Sequence, residues 1–465
     1  MTDQQQWLRD RGARAQEARQ VAARLHAEGV GGVLLTWVDN AGITRVKGVP
    51  VRRLEHAAAW GVGASPVFDA FLVDDSMTRG RFIGGPEGDL RLHPDLDRAV
   101  PLAAQPGWAW APADRYTQEG EPHPGCQRRF ARRMAERALE SGIELRCAFE
   151  VEWVAARAGG PAEEPDYPTQ GAAYGMDRMI DLSDCLRDLL QALDDQGVAV
   201  HQVHPEYAPG QYELSVAPED PVGAADTCVL VRQTIRAVFA RHGLRVSFAP
   251  AVEAGGVGNG SHLHLSPWRD GQNLCHGGTG PYGLTAEAEA FLAGVLAELP
   301  ALLAVGAPAP GSPLRLVPSH WAGAYRCWGR ENREAALRLV TGGRGEESTA
   351  ANAEVKCFDG AANPYLVTGA VLAAGLGGLA AGRTLPPESR DDPATWPPGR
   401  LEQLGVERLP QTVAESLAHF QRSGLLKEAM GEVLHDIVCA VRQAETELFA
   451  GSPPEQVVAA TRWRY

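Results

Sequence analysis

The segment that decides the fold is Phe149-Glu150-Val151-Glu152-Trp153, in which two carboxylates alternate with apolar residues. On a β-strand, residues i and i+2 face the same side, so this pattern predicts a strand that carries both carboxylates on one face. Burying that face would be costly unless its charges had partners. The segment therefore indicates either a solvent-facing strand or a charged site.

Three later segments repeat the alternation and have strand-like flanks: Gln211-Tyr212-Glu213, His262-Leu263-His264 and Glu354-Val355-Lys356. Each segment alone is compatible with an ordinary amphipathic strand whose polar side chains face solvent. Taken together with Glu206, the four segments fit a divalent-metal cluster better than they fit four unrelated amphipathic strands. A site dominated by Glu oxygens suits Mg²⁺ or Mn²⁺ rather than zinc.

Two further stretches point toward a nucleotide. The glycine-rich run 255–261 leads directly into His262, and it is either a close approach of the backbone to a ligand or a mobile loop. Five arginines crowd into residues 315–338, interleaved with aromatic residues. Arginine clusters clamp carboxylates and phosphates, although a solvated helix face is the plainer alternative. Carboxylates, glycines and arginines together indicate phosphoryl transfer.

Composition limits the class of protein. The chain has 465 residues, 44% of them hydrophobic, and a net charge of −14, which argues against a partner that is a nucleic acid. The eight cysteines form no C-x-x-C pair and the first residues are polar, so we expect reduced thiols and a cytoplasmic location. The apolar stretch Tyr365–Ala381 is interpreted as a buried helix rather than a membrane span.

The order of predicted elements indicates an α+β fold. Helical spacing over 5–29 precedes strands at Val33–Val38 and Ile43–Val49, which open a β-rich N-terminal unit. The pattern predicts a helix over 127–140, loops over 159–170 and 386–398, and helical structure over 413–449.

The motifs, in their order and spacing, resemble those of the glutamine synthetase family over nearly the whole chain, and within it those of the γ-glutamyl-amine (polyamine or ethanolamide) ligases. The stretches that carry the resemblance are Phe149–Trp153, His204–Glu213, Gly258–Ser266, Trp268–Leu274, Leu314–Pro318, Asn332-Arg333 and Glu354 leading to Ala362–Leu366. The resemblance implies a small N-terminal β-grasp domain, 1–112, and a larger catalytic α/β domain, 113–465. It also implies a homododecamer of two stacked hexameric rings, with active sites between neighbouring subunits.

The resemblance also implies a role for each matching residue. One metal ion would be held by Glu152, Glu206 and Glu213, and the other by Glu150, His262 and Glu354. Residues matched to ATP binding are His264, Ser266, Arg338 and Asn352. Residues matched to L-glutamate and to catalysis are Gly258, Arg315, Arg333 and Lys356, of which Arg315 would hold the α-carboxylate and Arg333 the phosphoryl group in flight.

The departures from the family fall on the amine side. Trp321, or His320 if the loop shifts, stands where the family has a flap glutamate that deprotonates ammonium, and Ser65 stands nearest the N-terminal Asp that binds it. A cation site that loses its carboxylates loses attraction for ammonium, whereas an aromatic wall suits the carbon chain of a larger amine.

These departures predict an ATP-dependent ligase of nitrogen metabolism. It would join the γ-carboxylate of L-glutamate to ethanolamine, a polyamine or another small organic amine through γ-glutamyl phosphate. Two alternatives stay open, an ammonia-using glutamine synthetase and a catalytically inactive regulatory homologue. The intact metal positions weigh against the second alternative, because decayed paralogues lose such ligands freely.

Overall fold

The computed structural model describes residues 3–160 and 164–465. The strands are β1 (Gly32–Val38), β2 (Thr44–Pro50), β3 (Val62–Ala64), β4 (Leu90–Pro94), β5 (Val100–Pro101), β6 (Trp108–Tyr116), β7 (Glu144–Phe149), β8 (Val151–Arg157), β9 (Val200–Pro205), β10 (Gln211–Val216), β11 (Leu244–Ser247), β12 (Leu263–Arg269), β13 (Gln272–Asn273), β14 (Tyr325–Arg330), β15 (Ala335–Val340), β16 (Asn352–Val355) and β17 (Glu407–Arg408).

The helices lie mainly in the second half of the chain. They are α1 (Asp3–Ala27), α2 (Leu54–Trp60), α3 (Gln127–Glu140), α4 (Met176–Asp181), α5 (Ser183–Asp195), α6 (Pro221–Arg241), α7 (Ala286–Gly306), α8 (Ser312–Arg315), α9 (Glu347–Ala350), α10 (Pro364–Ala380), α11 (Pro398–Leu404), α12 (Val413–Arg422), α13 (Gly424–Met430), α14 (Glu432–Leu448) and α15 (Pro454–Thr461).

The N-terminal sheet has the strand order β2-β1-β6-β4-β3, with β5 paired to β6, and forms a β-grasp-like domain. Strands β1 and β6 are parallel, whereas β1 and β2 are antiparallel, as the predicted strand–turn–strand requires. Val33 and Leu35 of β1 are buried in the core of this domain with Leu25 of α1. The predicted boundary between residues 112 and 113 falls inside β6, and the boundary itself stays a prediction.

Two sheets build the larger domain. One has the order β11-β8-β10-β9, and the other has the order β13-β12-β16-β15-β14-β17 with β7 paired to β12. The chain leaves the larger sheet at the end of β7 and enters the smaller one at the start of β8. Glu150 is the single residue between these two strands. It therefore lies where the two sheets separate, which is where the functional side chains gather.

The stretch interpreted as a buried helix is α10, and its side chains are largely buried. It packs against α7, a helix long and apolar enough to cross a membrane but 78% buried inside the protein. The two helices approach closely, since a Cβ on Gly294 would lie 2.3 Å from the carbonyl oxygen of Ala374. Both helices are therefore core helices, and the reading of α10 is confirmed.

Other predicted elements are also present, with refinements. The helix predicted over 127–140 is α3, and the helical region predicted over 413–449 consists of α12, α13 and α14, interrupted at Ser423 and Gly431. The loop predicted over 386–398 contains one short turn of 3₁₀ helix, Pro393–Thr395. The loop predicted over 159–170 lies partly on residues 161–163, outside the described residues.

Candidate active site

Neighbouring strands bring the alternating segments together. In the smaller sheet Glu152 of β8 lies opposite Glu213 of β10. In the larger sheet His264 of β12 lies opposite Glu354 of β16. Side chains opposite each other on adjacent strands are close neighbours, so the two-residue alternation seen in the sequence becomes a set of facing functional pairs.

Glu150 lies between two histidines from the β12 segment. Its Oε2 is 3.0 Å from His262 Nδ1, and its Oε1 is 3.2 Å from His264 Nε2. Burial alone would raise the pKa of Glu150, but the charge of His264 and the hydrogen bonds from both histidines hold it well below its usual range. Burial alone would lower the pKa of His264, and the Glu150 carboxylate instead raises it to about 9.

Glu354 is the most enclosed carboxylate of the cluster, with 1% of its surface exposed. Lys356 Nζ donates to its Oε1 over 3.0 Å, and Arg338 Nη1 donates to its Oε2 over 3.0 Å. His262 Nδ1 lies 3.1 Å from Oε1. Burial opposes ionisation, but Lys356 and both site histidines hold the pKa of Glu354 well below its usual range, so it is a carboxylate.

A second acidic group forms around Glu206, directly after β9. Tyr174 donates its hydroxyl hydrogen to Glu206 Oε2 over 2.8 Å, and His204 Nε2 lies 3.2 Å from Glu213 Oε1. Burial, with the charges of Glu152 and Glu213, raises the pKa of Glu206 to about 7. The hydrogen bond to Glu213 raises the pKa of His204 to about 9, against the effect of burial.

Among the described residues, three sets of side chains place their ligand atoms within 4.8 Å of one another: Glu150, Glu213 and His262; Glu150, His264 and Glu354; and His204, Glu206 and Glu213. Like charges this close repel one another, which adds to the effect of burial on the pKa of Glu206, and a divalent cation relieves that repulsion. The donor set, mostly carboxylate oxygens, fits a hard divalent cation.

Glu152 stands beside these sets rather than in one of them. Its Oε2 accepts hydrogen bonds from the Gly260 amide over 2.8 Å and from the Gln211 amide group over 3.2 Å. The two ligand sets inferred from the sequence therefore stay predictions, while all six of their residues lie at the junction of the two sheets or directly beside it.

The glycine-rich loop packs tightly against Arg315. A Cβ on Gly258 would lie 2.0 Å from the Pro250 carbonyl oxygen and 2.9 Å from Arg315 Cγ, so this position requires glycine. Arg315 is 7% exposed, its guanidinium donates to the Lys356 carbonyl oxygen over 3.2 Å, and its Nη2 lies 2.9 Å from His262 Nε2. The residue predicted to hold the α-carboxylate is thus in contact with the acidic cluster.

The residues matched to ATP binding line the same edge of the larger sheet. Asn352 Oδ1 lies 2.8 Å from His264 Nδ1, which orients the imidazole. Ser266 accepts a hydrogen bond from the Trp268 indole over 2.8 Å. Arg338 joins Glu354 to Glu331, to whose Oε2 it donates over 2.9 Å.

The remaining predicted residues, which are Arg333 and those of the amine side, are more dispersed. Trp321 and His320 lie on the loop between α8 and β14, which we call the flap loop (residues 316–324), and 57% of the Trp321 surface is exposed. Arg333 is exposed, and no hydrogen bond or ion pair joins it to another residue within 3–160 or 164–465. Ser65 lies in the N-terminal domain, where it caps a short 3₁₀ helix by accepting from the Val67 amide. No described contact joins Ser65 to the acidic cluster of its own chain.

Sequence reasoning missed two residues of the second acidic group. His204 carried a detectable signal, since it precedes Glu206 by two residues at the end of β9 and shares its face. Tyr174 carried none, because it belongs to an irregular loop and reaches Glu206 with a positive φ of 57°.

Comparisons with known proteins agree with this geometry. The glutamine synthetase catalytic domain matches residues 124–459. Gamma-glutamylpolyamine synthetase GlnA3 of Streptomyces coelicolor is 58% identical over 453 residues, covering 97% of both chains, and the glutamine synthetase of Pyrococcus horikoshii is 30% identical over 443 residues, covering 93% of this chain and 94% of that one.

Solved structures show the same relationship. A structure described as a novel glutamine synthase homolog has a TM-score of 0.83 at 33% identity, covering 94% of this chain and 99% of that one. A GmaS/ADP complex has a TM-score of 0.81 at 26% identity, covering 93% and 97%. The chain belongs to the glutamine synthetase family, whose enzymes are ATP-dependent carbon–nitrogen ligases.

Proposed function

We propose that this enzyme joins the γ-carboxylate of L-glutamate to an organic amine, with a polyamine as the favoured acceptor. The observation that carries the proposal is the contrast between an acidic cluster contacted by Arg315 and Arg338 and a flap loop that presents Trp321 instead of a carboxylate. The 58% identity to a gamma-glutamylpolyamine synthetase supports the polyamine class. Ethanolamine is a smaller acceptor that the same aromatic surface would bind less extensively.

We propose Mg²⁺ or Mn²⁺ as the metal, held by Glu150, Glu152, Glu206, Glu213, His262 and Glu354. When bound, such ions neutralise the charge on transferring phosphoryl oxygens. His264 and Arg338 would contact the phosphates of ATP from β12 and β15. Arg315, already aimed at the cluster from α8, would orient L-glutamate through its α-carboxylate.

In the reaction, the γ-carboxylate of L-glutamate attacks the terminal phosphorus of ATP, which releases ADP and forms γ-glutamyl phosphate. The exposed Arg333 is free to stabilise the phosphoryl group during this transfer. The nitrogen of the neutral amine then attacks the acyl carbon, the C–N bond forms as the C–O bond to phosphate breaks, and inorganic phosphate leaves with the proton that the nitrogen loses. The flap loop covers the side from which the amine arrives.

The native enzyme is proposed to be a cytoplasmic homododecamer. The eight cysteines are all free thiols. Ser65 lies in the N-terminal domain, apart from the acidic cluster of its own chain, as expected if it serves the active site of a neighbouring subunit. This arrangement would complete the amine side of each site with a residue from a second copy.

The test is glutamate-dependent phosphate release from ATP and Mg²⁺ with a panel of acceptors: ammonium, hydroxylamine, ethanolamine, putrescine, spermine and an aromatic amine. We expect strong release with a polyamine and little with ammonium. Faster turnover with ammonium than with any organic amine would make the protein an ammonia-using glutamine synthetase. If no acceptor supports phosphate release while ATP still binds, the protein would be assigned to the inactive homologues.

A further inference from the structure

Glu334 is a buried carboxylate directly beneath the flap loop. It follows Arg333, precedes β15, and is 6% exposed. Its Oε1 accepts a hydrogen bond from the backbone amide of Trp321 over 2.7 Å. Trp321, which occupies the flap position, is thus hydrogen-bonded through its main chain to Glu334. The sequence alone gave no indication of this contact.

The second oxygen of Glu334 is unsatisfied. Oε2 is buried and has no hydrogen-bond partner among residues 3–160 and 164–465. Asp392, a second carboxylate that accepts from the Ser319 hydroxyl over 2.6 Å, is near enough to add repulsion. Burial raises the pKa of Glu334, against the opposing effects of the Trp321 amide, the more distant Ser319 amide and the charge of His320. A buried, unpartnered carboxylate oxygen costs free energy until a donor or a cation reaches it.

The flap loop connects Glu334 to the reaction centre. Gly323, two residues after Trp321, packs so closely that a Cβ there would lie 2.9 Å from Ala336 Cα and 3.1 Å from Lys356 Cβ. Lys356 in turn donates to Glu354 in the acidic cluster. The flap loop therefore contacts Glu334 at Trp321 and, two residues later, the backbone and side chain that lead to the acidic cluster.

The flap loop itself is under backbone strain. Ser319 and Trp321 adopt positive φ angles of 59° and 56°, which non-glycine residues rarely do. Such conformations persist where surrounding contacts hold them and they gather at ligand-binding sites. The bond from Glu334 to the Trp321 amide is one such contact, so a ligand that reached Glu334 would also act on the loop that forms the aromatic wall.

We propose that Glu334 is the anionic group of the amine site, with Oε2 receiving N–H donors from the ammonium form of the acceptor while Oε1 holds Trp321 in place. This inference rests on the proposed function. Glu334 would supply the negative charge that is missing because Trp321 and Ser65 occupy the two positions where the family has carboxylates that bind ammonium. Trp321 then contacts the carbon chain of the amine and Glu334 its charged head.

The competing explanation is that Glu334 only anchors the flap loop. Glu334→Gln separates the two roles, because glutamine keeps an oxygen that can accept from the Trp321 amide but has no negative charge. The matched control is Asp392→Asn, which changes a carboxylate that contacts the same flap loop from a different segment. Its two side-chain oxygens already accept hydrogen bonds from the Ser319 hydroxyl and the Ala394 amide.

The experiment compares two acceptors, putrescine, which is cationic at neutral pH, and hydroxylamine, which is uncharged. For Glu334→Gln we expect KM for putrescine to rise by about tenfold to a hundredfold, as for the loss of a hydrogen bond to a charged group. KM for hydroxylamine, ATP and glutamate should stay within about twofold, since a neutral acceptor gains little from the charge. Asp392→Asn should change both acceptors equally.

Two results would overturn the proposal. One is a Glu334→Gln enzyme with unchanged KM for putrescine. The other is an equal rise in KM for putrescine and for hydroxylamine. Either result would mean that Glu334 only anchors the flap loop. If Glu334→Ala impairs folding, Glu334→Gln still decides the matter. Failure of the proposed function is a separate result, because wild-type enzyme would then use no organic amine at all.

Discussion

At the scale of single residues, charge compensation around Glu354 is the strongest feature of the site. Lys356, Arg338 and His262 all lie within 3.1 Å of its two oxygens. Positively charged residues are needed around the Glu354 carboxylate, because a buried charge without a partner is costly. Removing one partner from this buried network should therefore be strongly destabilising.

Replacing Glu354 by Gln tests this expectation. The substitution leaves Lys356 and Arg338 without their buried counter-charge, so we expect the free energy of unfolding to fall by about 3 kcal/mol. We also expect glutamate-dependent phosphate release to be lost. Urea unfolding and the phosphate assay measure the two effects.

The control is Glu407→Gln, which removes a mostly exposed partner of Arg326. Its cost should be below about 1 kcal/mol, as for other surface ion pairs. Equal stability of the two variants would show that the cations around Glu354 are compensated by other groups.

The second prediction at this scale concerns Trp321. Trp321→Glu restores a carboxylate at the flap position, so we expect the ratio of ammonium to polyamine turnover to rise by about tenfold as the aromatic contact is lost. Trp321→Phe keeps an aromatic wall and should preserve the preference for the polyamine. An unchanged preference in Trp321→Glu would mean that Trp321 does not contact the amine.

At the scale of elements, strand pairing converts local alternation into a site. The sequence predicted that each alternating segment is a strand. Only Gln211–Glu213 lies wholly within one, β10, whereas Glu150, His262 and Lys356 lie just outside β8, β12 and β16. The prediction of one strand through Phe149–Trp153 was wrong, because the chain passes from one sheet to the other at Glu150. The sequence could not predict that β7 and β8 belong to different sheets, because strand pairing is a long-range choice set by packing. That choice places Glu150 at the junction and brings His264 and Glu354 opposite each other.

The connection between β6 and α3 contains a buried histidine that should respond to pH. Burial, with the nearby Arg115 charge, lowers the pKa of His123 to about 4. Its unfolded value is about 6.5, so between about pH 6.5 and pH 4 the unfolded chain binds a proton that the folded chain does not. The free energy of unfolding should therefore fall as pH falls, by up to about 1.4 kcal/mol per pH unit from this group.

His123→Asn tests this contribution while keeping an acceptor for the Gly125 amide, which donates to His123 Nδ1. Urea unfolding at pH 7 and pH 5 should show a smaller loss of stability for the variant than for wild type. Replacing the exposed His26 by Asn should leave the wild-type difference intact. The same pH response in wild type and His123→Asn would assign the acid sensitivity to other groups.

At the scale of the whole molecule, the proposal that Ser65 serves the active site of a neighbouring copy makes a prediction about assembly. We expect a native mass of about twelve times the 49.7 kDa chain, measured by light scattering. In such a ring each active site would use the catalytic domain of one copy and the N-terminal domain of the next.

Mixed assemblies test this sharing of sites. Ser65→Arg and Glu354→Ala should each be inactive alone, because every site then contains a defect. Co-expressed in equal amounts, they should regain activity in about a quarter of the sites, where both contributing domains are wild type. No recovery in a mixed particle of full size would show that each site is built from one chain.

The sequence by itself determined the family, the α+β class, the approximate positions of the strands that carry the site, the buried helix α10 and most of the charged residues of the site. These follow from short-range patterns, since residue alternation and apolar runs are properties of neighbours along the chain. Only the tertiary structure decided that Glu152 stands beside the ligand sets, that His204 and Tyr174 join Glu206, and that Glu334 lies under Trp321. The reason is physical: those contacts depend on which strands pair and where loops return, and burial then sets the charge of each group.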